Sequence, residues 1–370
     1  MNADSTLQAL VDQVQAARHR KAPLNIIGGG TKAFYGGLPQ GEPLDVRALC
    51  GISSYEPSEL VVTVRAGTPL LELETVLAEQ GQCLPFEPPR FAAAGTVGGM
   101  VAAGLAGPAR VSVGGVRDYV LGATLLNGRA ELLHFGGTVI KNVAGYDVSR
   151  VLAGSMGELG VICDVSLKVL PRPPATLTLR VQADQATAIR CVNEWGSQPL
   201  PLNASAWWDG MLVLRLSGAA AAVQAARLKI GGEEIAEPLA GTFWNGLRDH
   251  RDEFFIGAHK AVQAGATLWR LSVPATTPPL KLSGEQLLEW GGAQRWLCTS
   301  APALTLREAA AAAGGHAVIF CSQDKSAGAF APLKPPLDRI QRSLKAAFDP
   351  DGIFNLGRLL PTSASQTEVA

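Results

Sequence analysis

Charge is sparse in this sequence. Of its 370 residues only 17% are Asp, Glu, Lys or Arg, and the 32 cations match the 32 acids. There is no run of five like charges and no excess of cations to displace counterions from a phosphate backbone, so nucleic acid is not expected as a partner. Histidine is scarce too: His19, His134, His250, His259 and His316 form no HxH or HxxH pair. Cys50, Cys83, Cys163, Cys191, Cys298 and Cys321 lie far apart without CxxC or CxxxC spacing, so no metal site or iron–sulfur cluster is expected. They read as buried thiols in a reducing compartment. The N-terminus lacks the basic stretch and apolar core of a secretory signal; Ser5-Thr6-Leu7-Gln8 reads instead as a capping box opening a helix with Leu7, Leu10, Val11 and Val14 on one face. A cytoplasmic location is expected.

Small residues are what the chain has in quantity, with 41 glycines and 24 prolines beside 47% hydrophobic residues. That is too apolar for disorder, and the length predicts two domains over one. Residues 91–109 carry no charge, yet Gly95, Gly98, Gly99, Gly104, Gly107 and Pro108 make a poor membrane span despite a GxxxG match at Gly95 and Gly99. No direct membrane insertion is expected.

From about Pro23 to Pro171 the chain alternates glycines with short β-like runs at Leu24–Ile27, Leu44–Ala48, Leu60–Arg65, Tyr119–Leu126 and Gly160–Leu170. One helix is signalled by Thr68 as N-cap, Pro69 at the first position, apolar Leu70, Leu73, Val76 and Leu77, and Gly81 as the stop. Pro171-Arg172-Pro173-Pro174 closes this region. Beyond it, strands and helices alternate: a β pair within Ala206–Leu216 turning at Asp209-Gly210, one helix around Phe243–Phe255, strands near Thr267–Val273, Gln294–Cys298 and Ala317–Cys321, and helices at Ala186–Trp195, Ala219–Lys229, Leu306–Ala313 and Leu337–Phe348. No internal repeat is visible. The expected division is 1–172, a cofactor domain; 173–330, an α+β cap; and 331–370, a segment returning to the first domain.

Ile27-Gly28-Gly29-Gly30-Thr31-Lys32 follows an apolar strand, where missing Cβ atoms let backbone N–H groups approach a pyrophosphate. Gly28, Gly30 and Ala33 fit GxGxxA, with Asp45 near the ribose-binding position, but Phe34-Tyr35-Gly36-Gly37 replaces the helix that a Rossmann turn must open. Lys32 follows Thr31, which excludes a P-loop. By itself the loop reads equally as a plain glycine turn. A second glycine cluster runs from Pro88 to Met100 and on through Gly114-Gly115-Val116-Arg117-Asp118-Tyr119-Val120, and a third joins Lys141-Asn142-Val143-Ala144-Gly145-Tyr146-Asp147 to Gly154-Ser155-Met156-Gly157-Glu158-Leu159-Gly160-Val161-Ile162.

Together these clusters resemble the FAD-binding domain of the vanillyl-alcohol oxidase family, the PCMH-type fold. Lys141–Asp147, Ser149–Ser155 and the closing stretch Phe348–Arg358 are similar to one branch of it, the smaller FAD-binding subunits of bacterial glycolate oxidases. The resemblance implies an α+β fold: a two-subdomain PCMH-type domain holding extended FAD, with a smaller ferredoxin-like α+β cap. It implies Gly28, Gly29, Gly30, Thr31, Gly95, Thr96, Gly98 and Gly99 on the pyrophosphate. Gly104, Val120, Glu158, Gly160 and Val161 would line the ribityl, flavin and adenine portions, with Asn355 and Arg358 returning near the flavin. It also implies a larger FAD-binding subunit and an iron–sulfur subunit as partners, a small 2-hydroxy acid such as glycolate as substrate, and peripheral membrane association through those partners. Covalent members use a histidine in the first loop or a cysteine in the second; neither occurs here, so non-covalent FAD is expected.

Arg110 and Arg117 are candidate cations for the pyrophosphate, against an ion pair of Arg117 with Asp118. For catalysis, a 2-hydroxy acid oxidase needs a carboxylate-binding cation and a base. Arg270 is the candidate cation, against stacking on Trp269. His250 and His259 read as solvated helix residues and His134 as a hydrogen-bonded strand residue, so no catalytic residue is assigned. The favoured reading is an FAD subunit active only within a complex; a structural FAD module and an independent 2-hydroxy acid dehydrogenase are the alternatives.

Overall fold

The computed structural model describes residues 3–138 and 147–361. The third-cluster stretch Lys141–Tyr146 lies outside the described residues. The first region contains α1 (Ala3–Arg20), β1 (Leu24–Ile27), β2 (Glu42–Asp45), β3 (Ile52–Glu56), β4 (Val61–Arg65), α2 (Leu70–Glu79), the short β5 (Gln82–Cys83) and α3 (Val97–Ala103). Single turns α4 (Arg110–Val113) and α5 (Val116–Tyr119) lead to β6 (Val120–Leu126), β7 (Leu132–Gly136), β8 (Val161–Lys168) and β9 (Leu170–Pro171). β1 and β2 pair in parallel, while β3-β4-β8-β6-β7 form an antiparallel sheet. Helix α1 already runs from Ala3, ahead of the capping box at Ser5.

Five of the eight residues of β8 are apolar, and they pack on both faces of the strand. Ile162, Val165 and Leu167 join Leu73 and Leu77 of α2 and Met100 and Val101 of α3, whereas Val161 and Cys163 face Leu10 and Val14 of α1. Each such side chain, fully removed from water, contributes roughly 1.5–3 kcal/mol. Glycine-rich α3 is only seven residues long and stops at Gly104, whose φ is 64°, so the uncharged run folds as a loop and a short buried helix. Among the described residues no helix is long and apolar enough to cross a membrane. Thr68 is not the cap of α2: its hydroxyl bonds the backbone of Gly51, and Pro69 precedes the first helical residue.

The second region contains β10 (Ala175–Gln182), α6 (Gln185–Gly196), β11 (Leu202–Trp208), β12 (Met211–Gly218), α7 (Ala220–Ile230), β13 (Glu233–Ile235), α8 (Leu239–Arg248), α9 (Glu253–Gln263), β14 (Thr267–Ser272), β15 (Glu285–Glu289), β16 (Gln294–Thr299), α10 (Ala303–Ala312) and β17 (His316–Cys321). Its eight strands form one sheet ordered β13-β10-β12-β11-β15-β16-β14-β17. The left half is a βαββαβ unit in the order fourth-first-third-second, and the right half, lacking the first helix, mirrors it as second-third-first-fourth. The cap is therefore two ferredoxin-like halves joined edge to edge at β11 and β15, a structural repeat that has no sequence counterpart. Helices α6, α7 and α10 cover one face. The other face, with α8 and α9, packs on Tyr35, Ala103, Leu105 and Met156 of the first region.

The single helix expected around Phe243–Phe255 is two. Asp249 accepts from Arg90 N, His250 has φ 54°, and Asp252 caps α9 by accepting from Phe255 N. His250 is consequently 8% exposed, stacked on Phe255 at 3.7 Å, not solvated. Burial holds its imidazole well below its ordinary pKa, so the ring is neutral. His134 does bond Thr124, at 3.0 Å. Of the cysteines only Cys163 is buried; Cys50 is exposed and the rest are half-buried, and all are free thiols. After α11 (Leu337–Phe348), Phe354 bridges in parallel to Leu24 on β1.

Candidate functional site

A cleft opens at the C-terminal end of β1, where the strand runs out of partners. It is lined by Gly28, Gly29, Gly30, Thr31 and Lys32 from the first loop, by Thr96, Gly98 and Gly99 from the second, and by Gly157, Gly160, Asn355 and Arg358. The two loops touch. A Cβ on Gly28 would lie 2.4 Å from Thr96 Oγ1, and one on Gly29 would lie 1.5 Å from the Ala94 carbonyl oxygen, so only glycine permits this approach. Gly30 adopts φ 67° and a Cβ there would project into open space. The result is a run of five consecutive backbone N–H groups, Gly28 to Lys32, that meet no acceptor in the hydrogen bonds of the described residues. Unpaired donors in a concave turn attract an anion.

Thr96 is fixed by accepting from Gly99 N, and Gly98 N donates to Ala66 O, which seats the second loop on β4. The C-terminal return locks the first loop from behind. Asn355 Oδ1 accepts from Ile26 N and its Nδ2 donates to Met156 O at 2.7 Å, which ties β1 to the Ser155–Gly157 turn. The Arg358 guanidinium donates to the carbonyls of Lys32, Ala33, Tyr35 and Gly37. That use of a planar fork holds the loop and leaves Arg358 structural in its hydrogen bonding.

The other expected site residues stand around this cleft, in neighbouring pockets or in the core beneath it. Gly95 lines a neighbouring pocket with Arg90 and Phe91. Gly104 abuts Gly154, and Val120 and Val161 are wholly buried in the core. Glu158 faces a third pocket with Arg117, Arg150 and Lys345, and its Oε1 accepts from Leu359 N and Leu360 N. Burial raises the Glu158 pKa, opposed by those hydrogen bonds. Arg110 stacks over Trp290 at 4.6 Å and Arg117 makes no pair with Asp118, whose Oδ2 accepts from Gly115 N. Arg270 donates to Tyr35 Oη and lies over Tyr35 and Phe320; it is Arg307 that sits over Trp269. Lys32 was missed as a site residue although it stood at the end of the glycine run.

The residues fit an FAD diphosphate. Two glycine-rich turns converge, five amides meet no acceptor among the described residues, and a Cβ at Gly29 would close the approach that forms the cradle. Among the described residues no cluster of three His, Cys, Asp or Glu could hold a metal.

Comparison with known proteins agrees with this geometry. A sequence-family profile described as an FAD binding domain matches residues 5–149. The chain is 47% identical over 352 residues to glycolate oxidase subunit GlcE of Escherichia coli K12, covering 95% of this chain and 97% of that one. It is 33% identical over 152 residues to a D-lactate dehydrogenase of Anaerostipes hadrus, and 30% identical over 151 residues to glycolate oxidase subunit GlcD of Bacillus subtilis. Those two matches cover 41% of this chain each and only 30% and 31% of the relatives. In three dimensions, alkyldihydroxyacetonephosphate synthase superposes with a TM-score of 0.65 at 14% identity, over 94% of this chain and 74% of that one, which shows a shared fold.

Proposed function

The chain belongs to the GlcE family of glycolate oxidase subunits, and from that premise we propose that it is the FAD-binding subunit of a complex oxidising glycolate, or a close 2-hydroxy acid, to the 2-oxo acid. The observation that carries this reading is the contact between the Gly28–Gly30 turn and the Ala94–Thr96 turn beside five unused amides. FAD bound there supplies a two-electron acceptor for the substrate's carbinol carbon.

The chain's own part is binding and orientation. Gly28 to Lys32 would donate to the diphosphate, Thr96 and Gly99 would hold the second wall, and Asn355 with Arg358 would keep the first loop in place. Gly160 is proposed in the cleft lining, and Gly95, Gly104, Val120, Glu158 and Val161 in holding the loops that surround the rest of the cofactor. With no histidine or cysteine in either glycine loop, FAD is held non-covalently. Electrons would pass to an iron–sulfur subunit, beside a larger FAD-binding subunit, in a cytoplasmic assembly that meets the membrane only through its partners.

Among the described residues the charged side chains lining the cleft are Lys32 and Arg358, and neither is a carboxylate or imidazole base. The identity, over nearly its whole length, to a chain that is itself a subunit of glycolate oxidase favours action within a complex over an independent dehydrogenase. Tagging the chain in its native host and measuring flavin and iron in what co-purifies tests the proposal. Two FAD per complex, released by acid precipitation and bleached anaerobically by glycolate only when the partners are present, is expected. A chain that purifies alone and is bleached by glycolate would support the independent enzyme, and flavin that never cycles during turnover would support a structural module.

A further inference from the structure

We propose that the Lys32 ammonium is the side-chain counter-ion of the FAD diphosphate, a binding residue that acts together with the backbone cradle. The inference rests on the cofactor reading above. Lys32 ends the run of five unpaired amides and lines the same cleft. Its Nζ lies 5.7 Å from the ring centroid of Phe91, at the stem of the second loop, so the side chain reaches from the first loop toward the second.

Among the described residues no carboxylate pairs with it. Asp249, whose charge acts on Lys32 from the cap, is itself engaged bidentately by Arg248 and receives Arg90 N. The other cation of the lining, Arg358, spends its donors on loop carbonyls. Among the described residues Lys32 is therefore a half-buried ammonium without an ion-pair partner, carried by the loop whose amide dipoles already favour an anion. Burial lowers its pKa to about 8, the expected cost of a cation whose counter-ion is not part of the chain. Backbone amides offer partial charges, whereas a diphosphate carries two full ones; a charge-assisted hydrogen bond is roughly twice as strong as a neutral one.

The test titrates the full-length chain, stripped of flavin, with FAD and separately with ADP, which shares the diphosphate and lacks the ring. Lys32→Met is expected to weaken both ligands alike, by roughly 10- to 100-fold, with a shallower salt dependence. The flavin absorption spectrum of loaded Lys32→Met should match the parent, and Lys32→Arg should recover affinity to within a few-fold. Melting and circular dichroism of both variants separate lost affinity from lost folding, and the arginine variant keeps the question open to test if the methionine one does not fold. Unchanged affinity in Lys32→Met, or weakened FAD with unchanged ADP and a shifted spectrum, overturns the assignment. A parent chain that binds neither FAD nor ADP would instead defeat the cofactor reading on which it rests.

Discussion

At the scale of single residues, the account turns on positions where one atom more or less decides the geometry. Gly29→Ala would place a Cβ within 1.5 Å of the Ala94 carbonyl, and the clash is with backbone, which cannot rotate away. The loops must part, at a cost of about 1–3 kcal/mol in overpacking. Thermal melting should show that loss and fluorescence titration at least a tenfold weaker FAD affinity. Glu289 offers a different test. It is buried, accepts from Trp296 Nε1 and Gln294 Nε2, and burial lifts its pKa to about 7. A carboxyl raised in the folded state binds more protons there than in the unfolded chain, so no cost exists below the unfolded value near 4.5, and stability declines as pH rises from there to about 7. Glu289→Gln should remove that decline, which in the parent amounts to about 3 kcal/mol by pH 8, measured by urea unfolding across pH.

At the scale of elements, the closing turn after α11 explains why a chain end so far away in sequence belongs to the site. Asp349, with its side chain 0% exposed, accepts from Lys345 Nζ at 2.6 Å and from the backbone of Ile353 and Phe354, while Lys345 also donates to the carbonyls of Glu158 and Phe354. One carboxylate thus fastens the turn that delivers Asn355 and Arg358 to the first loop. Removing it leaves a partly buried ammonium without its counter-charge and two amides without an acceptor. Asp349→Ala should cost about 3–5 kcal/mol in unfolding free energy and release FAD more readily, read by melting and by flavin retained after gel filtration. The cap helices make the same point from the other side: Asp252 starts α9 only because the chain breaks at Asp249, and that break carries Asp249 to Arg90 and buries His250 among aromatic rings.

At the scale of the molecule, local signals were legible and convergent ones were not. Leu24–Ile27 and the Asp209-Gly210 hairpin follow from apolar runs and turn chemistry that act within a few residues. β3 and β15 were hidden because Ser53, Ser54, Glu285 and Gln286 dilute the alternation of short strands. The doubled cap leaves no trace in sequence, since a βαββαβ topology asks only for pattern and not for particular residues. The cradle's glycines were visible as glycines, but the approach of Gly29 to Ala94 and the capture of the first loop by Arg358 depend on contacts across 65 and more positions, which no window of sequence contains.

The most direct test of the whole is equilibrium titration of the flavin-free chain with FAD, ADP and riboflavin, followed by fluorescence. If the converging turns grip a diphosphate, FAD and ADP will compete for one site per chain and riboflavin will bind at least 100-fold more weakly than FAD. Riboflavin binding as tightly as FAD, or ADP failing to compete, would contradict the account.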